Sequence, residues 1–368
     1  MTTCILFESG MKGMGITFHL SHLVCEIHKQ NSNIVIIHDG TEQEKGLLQS
    51  LKEKGIEDFD YSKNSIHLLL KYLRQKGYNK FIFHAESYGG CRLIEPFKKQ
   101  YNIHVLLGMN AYKYSTPYRS LVLKYIKHRY SQIVDTWIFF SQQARLDFCH
   151  AANIYNHTFV IPWGVENFIT TSKATHYTDV FKNKTYLYQS NIKYVFYAAQ
   201  FYKNKSHRLL ISIMKKYLHD GQVKLVLAGN GIEINNIHQL CIKYGIDNNV
   251  IFLGRIPRPI FITHLKNAFL SLVLSKNETF GHCILEPLQM GVPVISTPTG
   301  IAPQIITDFY NGFVINRSNK NKWKNIIAHV INGSIHLESK YQELFTWSEV
   351  AKLYSKLYHY ISEDMLEN

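Results

Sequence analysis

The sequence lacks the features that mark membrane-spanning, secreted or zinc-stabilised chains. No apolar run approaches the roughly 18–20 residues that a bilayer span requires, and the first residues show no basic-then-apolar signal pattern. None of the six cysteines belongs to a C-x-x-C pair or to a zinc-binding spacing. These absences predict a cytoplasmic protein with free thiols.

Acidic residues are absent from one long stretch, residues 96–134, which carries seven lysines and arginines interleaved with six tyrosines. The whole chain holds 41 Lys and Arg against 27 Asp and Glu, a net charge of +14. An anionic membrane surface attracts basic residues at about 1 kcal/mol each. Residues 96–134 therefore indicate either peripheral binding at the inner face of a membrane or a solvated basic helix. No nucleic-acid motif is present, and we expect no nucleic-acid partner.

Short apolar runs alternate with helix-like segments along the chain, which is typical of βαβ units and a parallel sheet. The runs form two series that are separated by a polar stretch rich in Lys, Thr and Asn. The sequence therefore predicts an α/β fold with two doubly wound, Rossmann-like domains. The expected division is a first domain over 1–168, a linker over 169–191, a second domain over 192–347, and a helix over 348–368 that crosses back to the first domain.

Residues 270–296 predict a strand, a polar loop, a helix and another strand. The loop follows a strand, at the edge where open α/β sheets bind ligands. Glu278 lies in this loop, and Glu286 precedes Pro287, which suits a first helical turn. Both carboxylates could then face one crevice and accept hydrogen bonds from sugar hydroxyls. The spacing alone equally fits a solvated loop acid and a first-turn acid that favours the helix dipole.

The block from Glu278 to Gly300 reads E-T-F-G-H-C-I-L-E-P-L-Q-M-G-V-P-V-I-S-T-P-T-G, and it resembles the signature of retaining glycosyltransferases of family 4 with the GT-B fold. That fold has two Rossmann-like domains facing a cleft. The resemblance implies that Glu278 contacts the donor sugar and that Glu286 contacts the nucleotide ribose. The donor-binding loop residues that it implies are Thr279, Phe280, Gly281 and His282.

Two further matches to the family lie in the first domain. A glycine-rich turn follows the first apolar run, and the resemblance implies that Gly13 and Gly15 face the donor. Many family members have a sugar-positioning histidine near the position of Asn110. Here the resemblance gives that catalytic role to Asn110 or removes it.

The second domain opens with a loop in which the family has an arginine and, five residues later, a lysine. Gln200 holds the arginine position and Lys205 the lysine position. A cation there would neutralise the leaving diphosphate, and Lys203 lies in the same loop. After the next two strands, the resemblance implies donor contacts at Gly229, Gly231 and Arg255.

No metal site is expected. Asp58-Phe59-Asp60 has the D-x-D form of metal-dependent transferases, but it does not follow a long apolar strand, and we interpret it as accidental. His282 has no partner at metal-ligand spacing.

The resemblance implies transfer of a sugar from a nucleotide-sugar, with a UDP-sugar favoured, to a hydroxyl of a glycan or lipid-linked glycan acceptor. It implies retention at the anomeric carbon, a role in cell-surface polysaccharide synthesis and no cofactor. Gln200 and Asn110 leave a catalytically silent GT-B scaffold as an alternative. A nucleotide-sugar epimerase of the same architecture is another.

Overall fold

The computed structural model describes residues 2–8, 14–30, 33–40, 45–109, 125–126, 128–165, 176–187, 193–338 and 345–367. The chain divides into two units. The first combines residues 1–166 with residues 345–368, and the second comprises residues 167–344.

The first unit is built on a seven-stranded sheet in which every neighbouring pair is parallel, in the order β3-β2-β1-β4-β5-β6-β7. Its central strands are continuous apolar runs, as expected where helices cover both faces of a parallel sheet. The strands are β1 Thr2–Glu8, β2 Ile34–His38, β3 Glu57–Asp60, β4 Tyr78–Ala85, β5 Ile103–Gly108, β6 Thr136–Phe139 and β7 Thr158–Val160.

Helices connect these strands, and three of the helices have a serine as their N-cap residue. Ser65, Ser87 and Ser141 each accept a hydrogen bond from a main-chain N–H of the first turn, the usual role of an N-cap serine. The helices of this unit are α1 Met14–Gln30, α2 Lys45–Lys52, α3 Ile66–Gln75, α4 Tyr88–Ile94, α5 Lys98–Tyr101, α6 Gln142–Ala152 and the later helix Trp347–Glu367, numbered α13 below.

The second unit contains a six-stranded parallel sheet in the order β12-β11-β10-β13-β14-β15, and a separate antiparallel hairpin, β8-β9. Its strands are β8 His176–Asp179, β9 Lys184–Leu187, β10 Tyr194–Ala198, β11 Lys224–Ala228, β12 Val250–Gly254, β13 Leu270–Val273, β14 Val294–Ser296 and β15 Gly312–Val314. Its helices are α7 His207–His219, α8 Ile234–Lys243, α9 Arg258–Lys266, α10 His282–Gln289, α11 Ala302–Ile305 and α12 Lys320–Ile331.

Side chains alternate between the two faces of the second sheet and supply an apolar cluster on each. Val195, Tyr197 and Leu225 pack on one face with the fully buried Trp323 of α12. On the opposite face, Phe196 belongs to a smaller cluster. The two-sheet α/β architecture that the alternating runs predict is therefore confirmed.

Two elements differ from the sequence interpretation. Residues 176–187, inside the stretch interpreted as a linker, form the β8-β9 hairpin, and the buried Asp179 accepts the main-chain N–H of Phe252 at 3.1 Å. This polar hairpin is thus tied to the sheet by a carboxylate. Asp58-Phe59-Asp60 lies in β3, an edge strand that pairs with β2. Because β3 carries acidic residues, it does not have the apolar pattern of the other strands.

The helix α13 follows the second unit in sequence and belongs to the first. Its Ser362 carbonyl accepts the ammonium of Lys80 at 2.6 Å, and its Tyr358 hydroxyl lies 2.8 Å from Nδ1 of His84. Lys80 and His84 both lie in β4 and are buried. No helix among the described residues is long and apolar enough to cross a bilayer.

Candidate active site in the second unit

A partly buried ion pair joins two loops at the carboxyl edge of the second sheet. The ammonium of Lys205, in the turn after β10, lies 2.5 Å from Oε1 of Glu278, in the loop after β13. The two side chains are 19% and 15% exposed. Because β10 and β13 are neighbouring parallel strands, their following loops meet at the same edge. The sequence interpretation placed both residues in the site, and the structure brings them into contact.

The pair favours a charged Lys205. Burial alone lowers the pKa of this ammonium, but the charge of the neighbouring Glu278 carboxylate and its hydrogen bond with Lys205 raise the pKa above its ordinary value. Burial and the charge of Glu278 raise the pKa of the Cys283 thiol, which keeps this group uncharged near neutral pH. The site therefore holds one fixed cation beside one carboxylate.

The loop that carries Glu278 is held by backbone contacts on both sides. The main-chain N–H of Lys276 donates to the Asn204 carbonyl at 2.8 Å, and that of Glu278 donates to Oγ1 of Thr299 at 2.6 Å. Gly300 has a φ of +53°, and a Cβ there would overlap the carbonyl oxygen of Phe280. Because Gly300 has no side chain, its backbone packs closely against Phe280, and this contact helps to fix the loop that carries Glu278.

Glu286 lies deeper in the helix than the sequence suggests. Gly281 is the N-cap of α10 with a φ of +99°, so the helix begins at His282. Glu286 is therefore in the second turn, and Pro287 lies inside the helix. The expectation of a first-turn position for both residues was wrong, because Gly281 rather than Pro287 determines where the helix starts.

Arg258 is the main partner of Glu286, and sequence reasoning missed it. Its guanidinium nitrogens lie 2.6 and 3.2 Å from the two carboxylate oxygens, a bidentate pair. The Glu286 side chain is 6% exposed and that of Arg258 is 35% exposed. Arg258 begins α9 directly after Pro257. That proline marks a helix start, but no local pattern indicates a partner 28 residues away.

The glycines after β11 pack against the loop after β10. A Cβ at Gly229, whose φ is +135°, would overlap the Ala199 carbonyl oxygen, and a Cβ at Gly231 would lie 2.7 Å from the Phe201 carbonyl oxygen. Both glycines thus allow two loops to lie in backbone contact around Gln200. Gln200 and Lys203 are exposed beside this contact.

The remaining predicted residues fall into two groups. Thr279, in the loop before α10, and His282, the first residue of α10, are both partly buried. The His282 ring lies 5.0 Å from that of the buried Phe280, and Arg255 is exposed after β12. Gly15 lies in the first turn of α1. Gly13 and Asn110 lie outside the described residues.

The carboxyl edge of the first sheet carries a buried acid that sequence reasoning did not select. Glu8 ends β1, is 2% exposed, and accepts the main-chain N–H groups of Glu86 and Ser87 at 2.9 and 3.2 Å. The Ser87 hydroxyl also donates to it at 2.7 Å. Burial raises the pKa of Glu8 to about 7, against the opposing effect of the Ser87 hydrogen bond. The sequence signal for Glu8 is its position as an acidic residue directly after the apolar run of β1.

The described part of residues 96–134 is held by internal contacts. Lys98 pairs with Asp135 at 2.7 Å, and Arg129 forms a bidentate pair with Glu95. Tyr101 and Tyr130 are buried. These contacts account for four of the basic and aromatic residues without a membrane. Residues 110–124 and 127 lie outside the described part of the chain.

In the described ranges, no group of three or more His, Cys, Asp or Glu side chains is placed to hold a metal ion. Asp58 contacts His38 at 2.9 Å and Lys52 at 3.1 Å, whereas Asp60 accepts hydrogen bonds from Ser62. The two carboxylates of the D-x-D thus have separate structural partners.

Residues 182–343, which contain every described residue of this site, match the family described as Glycosyl transferases group 1. Residues 182–343 are referred to below as the group 1 domain, after the family that they match. The chain is similar to part of N-acetyl-alpha-D-glucosaminyl L-malate synthase of Bacillus anthracis, at 30% identity over 131 residues, which cover 36% of this chain and 34% of that protein. The O-antigen biosynthesis glycosyltransferase WclY of Escherichia coli is 26% identical over 172 residues, 46% of this chain and 47% of that protein. The chain spans about half the length, or less, of these curated relatives.

Solved structures extend the similarity in fold to nearly the whole chain. Anabaena Alr3699/HepE in complex with UDP and glucose has a TM-score of 0.71 at 18% identity, covering 96% of this chain and 99% of that one. A glycosyltransferase from Rickettsia africae ESF-5 has a TM-score of 0.72 at 15% identity, covering 100% and 99%. With its two parallel sheets, the chain that carries the group 1 domain has the GT-B fold, and the predicted fold class is confirmed.

Proposed function

We propose that this protein is a retaining glycosyltransferase that moves a sugar from a nucleotide-sugar, with a UDP-sugar favoured, to a hydroxyl of a glycan or lipid-linked glycan acceptor. The observation that carries the proposal is the partly buried Lys205–Glu278 pair at the carboxyl edge of the sheet within the group 1 domain. Ligands of open α/β sheets bind at that edge.

In the proposed reaction, Lys205 acts on the leaving group. The bond between the anomeric carbon and the diphosphate oxygen breaks, and a bond from the acceptor oxygen forms on the same face of the sugar. The acceptor proton passes to the leaving diphosphate, so no covalent intermediate with the protein is needed. Negative charge develops on the diphosphate, and a preorganised ammonium in a water-poor site stabilises it strongly. The raised pKa of Lys205 supports a charged ammonium in this role.

Glu278 and Glu286 are proposed to hold hydroxyl groups of the donor. Glu278 would accept hydrogen bonds from the sugar, and Glu286 from the ribose. Arg258 holds Glu286 in one orientation through two hydrogen bonds, so that the carboxylate is fixed before the donor binds. This preorganisation reduces the entropy lost on binding.

The comparisons support the choice of donor and the setting. The complexes of HepE contain UDP, UDP with glucose, or UDP-glucose, and WclY is described as acting in O-antigen biosynthesis. By analogy, we propose a UDP-sugar donor and a role in cell-surface polysaccharide synthesis at the inner face of the membrane.

The central test compares Glu278→Gln with the wild-type protein. Sugar transfer is first sought with a panel of UDP-, GDP- and ADP-sugars and an acceptor extract, and kcat/KM is then measured for both proteins. Loss of one preorganised group at the reacting centre should lower kcat/KM by about 10²–10³-fold. Glu338→Gln is the matched control, because Glu338 is an exposed glutamate of the same unit. Equal rates for wild type and Glu278→Gln would refute the assigned role.

Thermal shifts with UDP separate the proposal from its two alternatives. A ligand at 100 times its Kd stabilises the folded protein by about 2.7 kcal/mol. A silent scaffold without a donor site would show no shift with any nucleotide. An epimerase would convert the donor sugar when no acceptor is present, whereas the proposed transferase requires the acceptor.

A further inference from the structure

A cavity lies in the second unit, beside the Lys203–Lys205 turn and the N-terminus of α7. Its volume is about 220 Å³. The residues that line it include Ser206, His207, Arg208, Lys276 and Arg317.

Two buried polar side chains line this cavity without a hydrogen-bond partner among the described residues. Ser206 is 7% exposed, and its hydroxyl makes no hydrogen bond to a described residue. His207 is 3% exposed, and neither of its ring nitrogens makes a hydrogen bond to a described residue. An unsatisfied buried polar group costs about 1–3 kcal/mol. Native proteins rarely retain such groups without a ligand or a functional reason. Both residues thus point to an occupant with hydrogen-bonding oxygens.

The backbone at this place also favours an anion. Ser206 is the N-cap of the 13-residue helix α7, adopts a left-handed conformation with φ +59°, and makes no side-chain cap. The first main-chain N–H groups of a helix have no intrahelical acceptor. With the positive end of the helix dipole, they form a site for negative charge. No side-chain oxygen of the N-cap residue competes for these donors.

The charge of the lining agrees with the backbone. Four cations, Lys203, Arg208, Lys276 and Arg317, line the cavity with a single carboxylate, Glu233. Nε of Arg208 lies 3.5 Å from Glu233, and the Arg208 side chain is 60% exposed. The other three cations come from loops after β10, β13 and β15, so three separate segments converge on one small volume.

From these contacts we infer that the cavity at the N-terminus of α7 binds a phosphate-type anion, either inorganic phosphate or the phosphoryl group of a small phosphorylated metabolite. A hydroxyl donor, two main-chain N–H groups and guanidinium groups are the partners that phosphoryl oxygens accept hydrogen bonds from. The cavity differs from the Lys205–Glu278 contact, because neither Lys205 nor Glu278 lines it.

The test uses the full chain and the thermal midpoint measured against increasing inorganic phosphate, with the ionic strength held constant by potassium chloride. A parallel series uses glucose 6-phosphate, to distinguish the free ion from a phosphorylated metabolite. We expect a saturable rise of the midpoint with at least one of the two probes. No saturable rise with either probe would overturn the inference.

Two variants test where the anion binds. Ser206→Gly removes the hydroxyl but suits the positive φ, so the fold should be retained, and the phosphate concentration for half-maximal effect should rise about tenfold. Lys276→Gln combined with Arg317→Gln should raise this concentration at least about tenfold. Lys216→Gln is the control, because Lys216 is an exposed lysine in the last turn of the same helix, and it should leave the titration unchanged.

Titration in the presence of saturating UDP distinguishes this site from the donor site. The phosphate effect should persist and add to that of UDP. If UDP abolishes the phosphate effect, or if the Ser206 and Lys276/Arg317 variants titrate like wild type, the anion binds elsewhere and the inference fails. Because the readout is binding, these outcomes are independent of whether the protein transfers sugar.

Discussion

The bidentate pair between Arg258 and Glu286 leads to a quantitative prediction for Arg258→Met. Methionine keeps an apolar stem of similar length but removes both hydrogen bonds, and it leaves a carboxylate that is only 6% exposed without its main partner. Breaking a fully buried pair by removing one member costs about 3–5 kcal/mol. Because the Arg258 side chain is 35% exposed, water can reach the gap, and we expect a loss of about 2–3 kcal/mol.

A double-mutant cycle isolates this interaction from other effects of the substitution. The free energies of unfolding of wild type, Arg258→Met, Glu286→Gln and the double variant are measured with urea. With a neutral Gln at position 286, the loss of Arg258 leaves no buried charge unpaired and should therefore cost less stability. The double variant should therefore be more stable than the sum of the single losses predicts, by about 1.5–3 kcal/mol.

A matched arginine in the same unit provides the control. Arg208 also lies in the first turn of a helix and near a glutamate, but at 3.5 Å and with a side chain 60% exposed. Exposed pairs contribute about 0–1 kcal/mol, so Arg208→Met should cost less than 1 kcal/mol in phosphate-free buffer. If both arginine variants lose the same stability, or if the cycle shows additivity, burial of the Glu286 carboxylate does not determine the cost of removing Arg258.

Two further predictions concern other buried positions. Glu8 has an ordinary pKa of 4.5 that rises to about 7 in the folded protein, so its stabilising contribution is fully present below pH 4.5 and is lost as the pH rises through about 7. Glu8→Gln should therefore gain about 3 kcal/mol relative to wild type between pH 4.5 and pH 8 in urea unfolding, and parallel pH profiles would contradict this. Gly300→Ala should destabilise by about 2–4 kcal/mol and weaken UDP binding, because a Cβ would overlap the Phe280 carbonyl. Gly333→Ala is the control, because Gly333 has a φ of +83° but a Cβ there would meet no atom within 4 Å. Thermal unfolding should show that this variant loses only about 1 kcal/mol of stability. Equal losses at both glycines would exclude the steric argument.

The sequence predicts the central strands well, because each is a continuous apolar run whose burial on both sheet faces requires that composition. It predicts β3 poorly, because an edge strand with Glu57, Asp58 and Asp60 has no such requirement. The β8-β9 hairpin is missed for a similar reason. Its attachment depends on Asp179, whose carboxylate accepts a hydrogen bond from the main-chain N–H of Phe252, far along the chain.

The candidate site divides in the same way. A short contiguous motif contains Glu278 and Glu286, so a sequence pattern is sufficient to select them. The partner of Glu286 comes from another helix, and only the packing of α9 against α10 reveals Arg258. The start of α10 was misplaced because proline and glycine both mark helix starts, and the left-handed conformation of Gly281 is visible only in three dimensions.

The position of α13 in the chain has a consequence for synthesis on the ribosome. The first sheet is translated early, but the helix that covers Lys80 and His84 of β4 follows residues 167–344. At about 5–20 residues per second, nearly two hundred residues separate the first sheet from its last helix, a delay on the order of ten seconds or more. During that interval the β4 face that α13 covers is open to chaperones, whereas the group 1 domain can fold as soon as it leaves the ribosome. All residues of the second unit are therefore available for folding before those of the first.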